Sequence, residues 1–410
     1  MSEKILKPEL AAPAGDWGSM TAAVDAGADA VYFGIKGMNM RHMAGNFHIN
    51  ELPKVMAFLK KMGKKGYLAL NTVMLQPDLE RVKEVLLKAG KAGADAVILW
   101  DLAVLKMAKD AGLPIHLSTQ ASVANVEAVK YYAKLGVKQI VLARECTLND
   151  IREIIRRLSL EKVNCRIETF IHGAMCVSVS GRCFLSHEIF RKSANQGQCL
   201  QPCRRRYRII DAEGECEYLL GESHLLSPKD LCTIDIIDQL IKAGIAAFKI
   251  EGRMRSPEYV RVATSCYRRA IDAYFNKSLN NQLKADLKKE LSSVYNRGFS
   301  TGFFKGSPDH EAWSEGLSHE KEKVFAGDVT RFFKKISVAE IRLRSAAIHK
   351  GDELLFIGNK TPGLACMAEE MQKDGKVIEN ADKSEIFGLK TPFPVRPKDK
   401  VFLWRDRKAG

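Results

Sequence analysis

AGADAVYFG at Ala26–Gly34 and AGADAVILW at Ala92–Trp100 spell one plan twice: a helix end, a glycine, then an apolar strand. A helix stops at such a glycine because the residue past its last turn takes a left-handed backbone, which glycine adopts freely. The plan recurs less literally as MGKKGYLALN from Met62, AGLPIHLST from Ala111, LGVKQIVLA from Leu135 and AGIAAFKIEG from Ala243. Gly27, Gly63, Gly93, Gly112, Gly136 and Gly244 are therefore read as helix stops. With ELAAP near Glu9 and RIETFI near Arg166, the strands that follow these stops make eight. They are short apolar runs without strict alternation, as parallel strands covered by helices are. Between them, segments such as DLERVKEVLLKAGKAG from Asp78 and NVEAVKYYAKLG from Asn125 carry apolar residues at helical spacing. Eight strand–helix units predict an α/β protein, a (β/α)8 TIM-like barrel with its chemistry at the C-terminal ends of the strands. An open doubly wound sheet is the alternative, but LAAPAGDWGS after the first strand does not supply G-x-G-x-x-G.

The regular spacing breaks after the seventh strand, where residues 173–232 form a cysteine-rich insertion. A helix from Pro257 to Phe275 would close the barrel, and a Lys/Glu-rich helix around Gln282 to Tyr295 would extend it. The barrel domain is thus placed at 1–304, followed by a polar, turn-rich linker at 305–323. Residues 324–410 hold β-type runs (VFAGDVTRFF, ISVAEIRLRS, GDELLFIG, KDKVFLW) between Gly, Pro and Asp turns, and predict a small β-barrel domain. HKGDELLFIG with RPKDKVFLW resembles the second domain of translation elongation factors, an analogy of fold alone.

The composition of the 410 residues, 46% hydrophobic and 28% charged, is that of a soluble globular protein. No apolar run is long enough to cross a bilayer, and MSEKILKPELAAPAG lacks the apolar core and cleavage site of a secretory leader, so a cytoplasmic location is expected. A formal charge of +15 suits a polyanionic partner, although a solvated basic face has the same signature. Ten cysteines in a reducing compartment point to ligation or catalysis rather than to disulfides.

Most of those cysteines fall between Cys146 and Cys232. From His172 the chain reads HGAMCVSVSGRCFLSHEIFRKSANQGQCLQPCRRRYRII, and LSPKDLC follows from Leu226. Cys176, Cys183, Cys199 and Cys232 are separated by 6, 15 and 32 residues, in a segment rich in Gly, Ser, Asn, Gln and Arg. Soft thiolates in a polar loop suit an iron–sulfur cluster or zinc better than an ordinary apolar core. Structural zinc favours close hooks of the C-x2–4-C kind, which Cys199 and Cys203 alone provide here, so a cluster leads and zinc is the alternative. Cys146, after the sixth strand, is read either as a reactive thiol or, preferably, as a buried inert one.

HGAMC, SGRCFLS, SANQGQC, QPCRRRY, LSPKDL and KIEGRMRSPEYV, with LAAPAG and GADAVYFG before them, resemble the peptidase U32 family from about Pro8 to Phe304. Despite its name, the family includes tRNA and ribosomal RNA hydroxylation proteins and oxygen-independent ubiquinone hydroxylation proteins. The resemblance implies a 4Fe-4S cluster on Cys176, Cys183, Cys199 and Cys232, with Cys203 as a neighbouring fifth thiol. It is nearest to the branch linked to prephenate-dependent 5-hydroxyuridine at the tRNA wobble position. That branch implies prephenate or a related hydroxyl donor as co-substrate and tRNA or rRNA as partner.

A carboxylate-bearing donor needs cations at the barrel mouth, and Arg41, Arg144 and Arg253 follow strands two, six and eight. A salt-bridge ring with Glu145 and Glu251 is the plainer role for the same arginines. His172, Arg144, Glu251 and Arg253 are the catalytic candidates, and Arg41, Asn71 and Gln120 the substrate-binding ones, all at strand ends. Arg204, Arg205, Arg206 and Tyr207 combine cations with an aromatic ring, as RNA contacts do. The expected function is RNA modification. The alternatives are a peptidase acting on collagen-like substrates, for which neither H-E-x-x-H nor G-x-S-x-G is present, and hydroxylation of a quinone precursor.

Overall fold

All six glycine stops take positive φ, from 66° at Gly63 to 104° at Gly136, and each ends a helix just before a strand. The structure, a computed structural model, describes residues 5–205, 207, 226–307, 314 and 318–407. The strands of its first unit are β1 (Glu9–Ala14), β2 (Ala30–Gly34), β3 (Lys65–Ala69), β4 (Ala96–Leu99), β5 (Ile115–Leu117), β6 (Val137–Val141), β7 (Arg166–Gly173), β8 (Asp230–Cys232), β9 (Ala247–Ile250) and β10 (Phe299–Ser300). β1 to β7 pair in chain order, and β9 lies parallel to both β7 and β1, which closes the ring. The expected (β/α)8 barrel is therefore present, with β9 as its eighth stave.

Strand alternation divides the core. Leu10, Val31, Phe33, Leu68, Val97, Ile140, Ile167 and Phe248 face outward and join the helices in one large apolar cluster. Ala11, Ala30, Tyr32, Tyr67, Ala69, Ala96 and Ile98 form a separate cluster on the inward positions. Bulky branched side chains usually fill such an interior. Here alanines leave room for two tyrosines and for buried Glu9, His116, Gln139, Glu168 and Lys249.

The β8–β10 flap was not legible in the sequence. β8 runs antiparallel to β7, pairing Cys232 with His172, and β10 lies parallel to β8. A buried ion pair fastens it, Arg297 donating from Nε and Nη2 to Asp230 Oδ1 at 3.1 and 2.6 Å. The helix Pro257–Phe275 covers the seam, with Tyr267 Oη donating to Ile171 O at 2.9 Å.

The C-terminal unit is antiparallel, an eight-stranded sheet with a separate two-stranded pair, and its first strand is Lys321–Phe333. It docks on the barrel through Lys323 Nζ to Glu258 Oε1 at 2.6 Å and Thr21 Oγ1 donating to Asn359 O at 3.0 Å. No helix among the described residues is long and apolar enough to cross a membrane.

Candidate active site at the barrel mouth

A cavity lies over the C-terminal ends of the strands. Inward residues Tyr32, Ala69, Ile98, Val141, Phe170 and Lys249 make its floor, and Arg41, Asn71, Gln120, Arg144, Glu251 and Arg253 its rim. Cys176, Cys183, Cys199, Cys203 and Arg204 form the wall contributed by the insertion. Six of the seven sequence candidates for catalysis and substrate binding thus converge on it; His172 does not.

Arg41 grips Glu251 from two nitrogens, Nε at 3.0 Å and Nη2 at 2.9 Å from Oε1. Burial alone would raise the Glu251 carboxyl. Arg41, Arg144 and Arg253 together outweigh that and hold it down at about 2. The other guanidiniums are held by neutral groups. Arg253 Nη1 donates to Asn39 Oδ1 at 2.9 Å, and Arg144 Nη1 to Ala174 O at 2.7 Å while its guanidinium lies 4.3 Å from the centre of the Phe170 ring. Asn71 Nδ2 donates to Gln120 Oε1 at 3.3 Å, joining two polar side chains on one side of the rim.

The insertion turns sharply before three of its thiols. Gly181, Gly197 and Gln201, each two residues ahead of Cys183, Cys199 and Cys203, have φ of 78°, 81° and 55°. At Gly197 the choice is forced, since a Cβ would stand 2.2 Å from Asn39 O in the loop after β2. Backbone amides then point at sulfur, Leu185 N donating to Cys183 Sγ at 3.3 Å and Gln201 N to Cys199 Sγ at 3.4 Å. Burial pushes the Cys199 and Cys203 thiols up, and the neighbouring thiols push the same way; Arg41 opposes this at Cys199 and Arg204 at Cys203. Among the described residues no three His, Cys, Asp or Glu side chains are gathered as a metal-ion site. The fit to an inorganic cluster rests instead on four soft donors around one cavity and on amides aimed at sulfur, the groups that hold and tune iron–sulfur centres.

Two expected participants stand elsewhere. Cys232 is buried on β8, does not line the cavity, and accepts from Tyr267 Oη at 3.7 Å; Cys203 occupies the wall with the other three thiols instead. His172 lies behind the strands among the rings of Tyr259, Tyr267 and Phe299 at centroid distances of 5.9, 5.4 and 5.8 Å. The cause is an irregularity in β7, whose pairing with β9 shifts between Phe170 and His172 and matches His172 to outward-facing Ile250. There, burial lowers the imidazole to about 4. Cys146 is buried as well, and burial pushes its thiol up to about 12.

Of the expected RNA contacts, Arg204 is a clamp, donating to Ser227 Oγ at 2.7 Å, to Pro228 O at 3.0 Å and to Met175 O. Arg205 and Tyr207 are exposed, Arg205 stacked 4.6 Å from the centre of the Phe190 ring, and Phe184 is exposed on the same insertion. Arg206 lies outside the described residues. Sequence reasoning missed Lys249, although its spacing with Glu251 and Arg253, two residues apart along one strand and its extension, was the signal for a shared face.

A barrel whose mouth carries a thiol-lined, arginine-rich cavity is an enzyme-like scaffold, and comparison with known proteins gives its family. The chain belongs to Peptidase family U32, which matches residues 15–314. It is 42% identical over 404 residues to the uncharacterized protease MJ0090 of Methanocaldococcus jannaschii, covering 97% of this chain and 98% of that one. It is 36% identical to a collagenase of Porphyromonas gingivalis, over 98% of each chain. It is 35% identical to tRNA hydroxylation protein P1 of Bacillus subtilis, over 92% of this chain and 89% of that one.

Proposed function

We propose that this protein hydroxylates a base of tRNA or rRNA at the barrel mouth, with prephenate or a related acidic hydroxyl donor as co-substrate. The wobble uridine of tRNA is the specific expectation. The observation that carries the reading is the charge of the cavity: Arg144, Arg204 and Arg253 line it, and none has a carboxylate within ion-pair distance among the described residues. Guanidiniums held ready by neutral acceptors suit carboxylate, phosphate or the negative charge of a thiolate-bound cluster. The likeness to a tRNA hydroxylation protein supports an RNA substrate.

A 4Fe-4S cluster would be held by Cys176, Cys183, Cys199 and Cys203, and would supply redox or Lewis-acid chemistry at the cavity wall. Arg144 and Arg253 would bind and orient the acidic donor. Glu251, kept ionised by its arginines, fixes Arg41 and limits the excess of positive charge. The amides of Asn71 and Gln120 suit the edge of a base, which must leave its stack to reach them. Phe184, Arg205 and Tyr207 on the outer face of the insertion offer stacking and phosphate contacts to the flanking nucleotides.

The test is anaerobically purified protein incubated with unmodified tRNA and prephenate, followed by nucleoside mass analysis. Prephenate-dependent 5-hydroxyuridine, lost in Arg144→Met, is the expected result. No hydroxylated nucleoside from tRNA or rRNA, with gelatin cleaved by the same preparation, would transfer the assignment to the peptidase reading.

A further inference from the structure

Lys249 stands apart from the arginines of the rim. It projects inward from β9, is 4% exposed, and is the cation of a floor otherwise made by Tyr32, Ala69, Ile98, Val141 and Phe170. Its ammonium lies 4.5 Å from the centre of the Tyr32 ring and 5.8 Å from that of Phe170, so two aromatic faces stabilise its charge. Glu168 Oε1 is 3.2 Å away, yet that oxygen has no hydrogen-bond partner, while Oε2 accepts from Gln139 Nε2 at 2.8 Å. The two charges form an ion pair, and an ammonium with three N–H donors keeps at least two of them for another acceptor. Neutralising Glu168 is a sufficient reason for a cation here but not for one opening into a cavity.

We infer that Lys249 binds one anionic end of the small co-substrate at the cavity floor while the rim arginines bind the other, so the site selects molecules with two carboxylates. This rests on the proposed acidic donor and adds what that reading lacks, a requirement for charge at both ends. A donor with a single carboxylate would satisfy Arg144 and Arg253 and leave the Lys249 ammonium, with Glu168 as its counter-ion, without a ligand acceptor for its cavity-facing N–H donors. A charge-assisted hydrogen bond lost from such a site costs about tenfold or more in affinity.

The experiment is calorimetric titration of the anaerobically purified protein with prephenate and with phenylpyruvate, which keeps the pyruvyl carboxylate and lacks the ring carboxylate. Wild type is expected to prefer prephenate by about tenfold or more. In Lys249→Met the preference disappears while phenylpyruvate binds as before; in Arg144→Met both ligands weaken together. Because Lys249→Met strands the Glu168 charge, the double variant Lys249→Met with Glu168→Gln removes both charges and tests the same selectivity in a folded protein. A preference unchanged in the lysine variants, with binding still weakened in Arg144→Met, overturns the inference and leaves the donor reading standing. Failure of wild type to bind either acid overturns both.

Discussion

Glu251→Gln tests the electrostatic design of the mouth. The carboxylate sits at about 2, against 4.5 ordinarily, because three arginines outweigh the cost of its burial. At 1.36 kcal/mol for each pH unit, that difference is worth roughly 3 kcal/mol of folding stability. A carboxyl lowered in the folded state contributes this in full above its unfolded value of 4.5, and loses it as pH falls toward 2. Glutamine keeps the shape and one acceptor for Arg41 but removes the charge. The variant should therefore be roughly 3 kcal/mol less stable than wild type at pH 7, with the deficit cut to about half at pH 3. Urea unfolding of both proteins between pH 7 and pH 3, followed by circular dichroism, measures this directly. Equal stabilities at pH 7, or a deficit that does not change with pH, would refute the reasoning, because the arginines would then not be using the Glu251 charge.

Cys203→Ser should lower the iron and acid-labile sulfide of anaerobically isolated protein as severely as Cys176→Ser, whereas Cys232→Ser should retain both; the opposite order would return the fourth position to Cys232. Burial lowers His116 and His172 from 6.5 to about 4, so each stays neutral in the folded protein while the unfolded chain takes up a proton below 6.5. Stability present above pH 6.5 is then lost as pH falls toward 4, by roughly 2 to 3 kcal/mol for each histidine at pH 4.5, and replacing His172 with Asn should remove one such contribution from the pH profile of unfolding.

The barrel was legible because its punctuation is local. Each glycine stop is a backbone requirement that a single residue meets, and after a helix it marks the strand that follows, even one as short as the three residues of β5. The β8–β10 flap was hidden because strands of three and two residues carry no period, and their pairing depends on a distant Asp230–Arg297 contact. Cysteine spacing told that thiols gather in the insertion but not which way each points. Antiparallel pairing with β7 draws Cys232 toward Tyr267, and only the folded chain shows Cys203 in the wall. His172 has the structural role that the sequence left open beside a catalytic one: strict alternation from Glu168 through Phe170 would put it inside, and one irregular residue in β7 turns it out.

The proposed reaction is hydroxylation of an RNA base at the arginine- and thiol-lined mouth. Mass analysis of nucleosides from the tRNA and rRNA of a strain lacking this gene tests it most directly. The expected result is the loss of one hydroxylated pyrimidine, restored by the wild-type gene but not by a gene encoding Arg144→Met or Cys199→Ser. A nucleoside profile identical to that of the parent strain would contradict it.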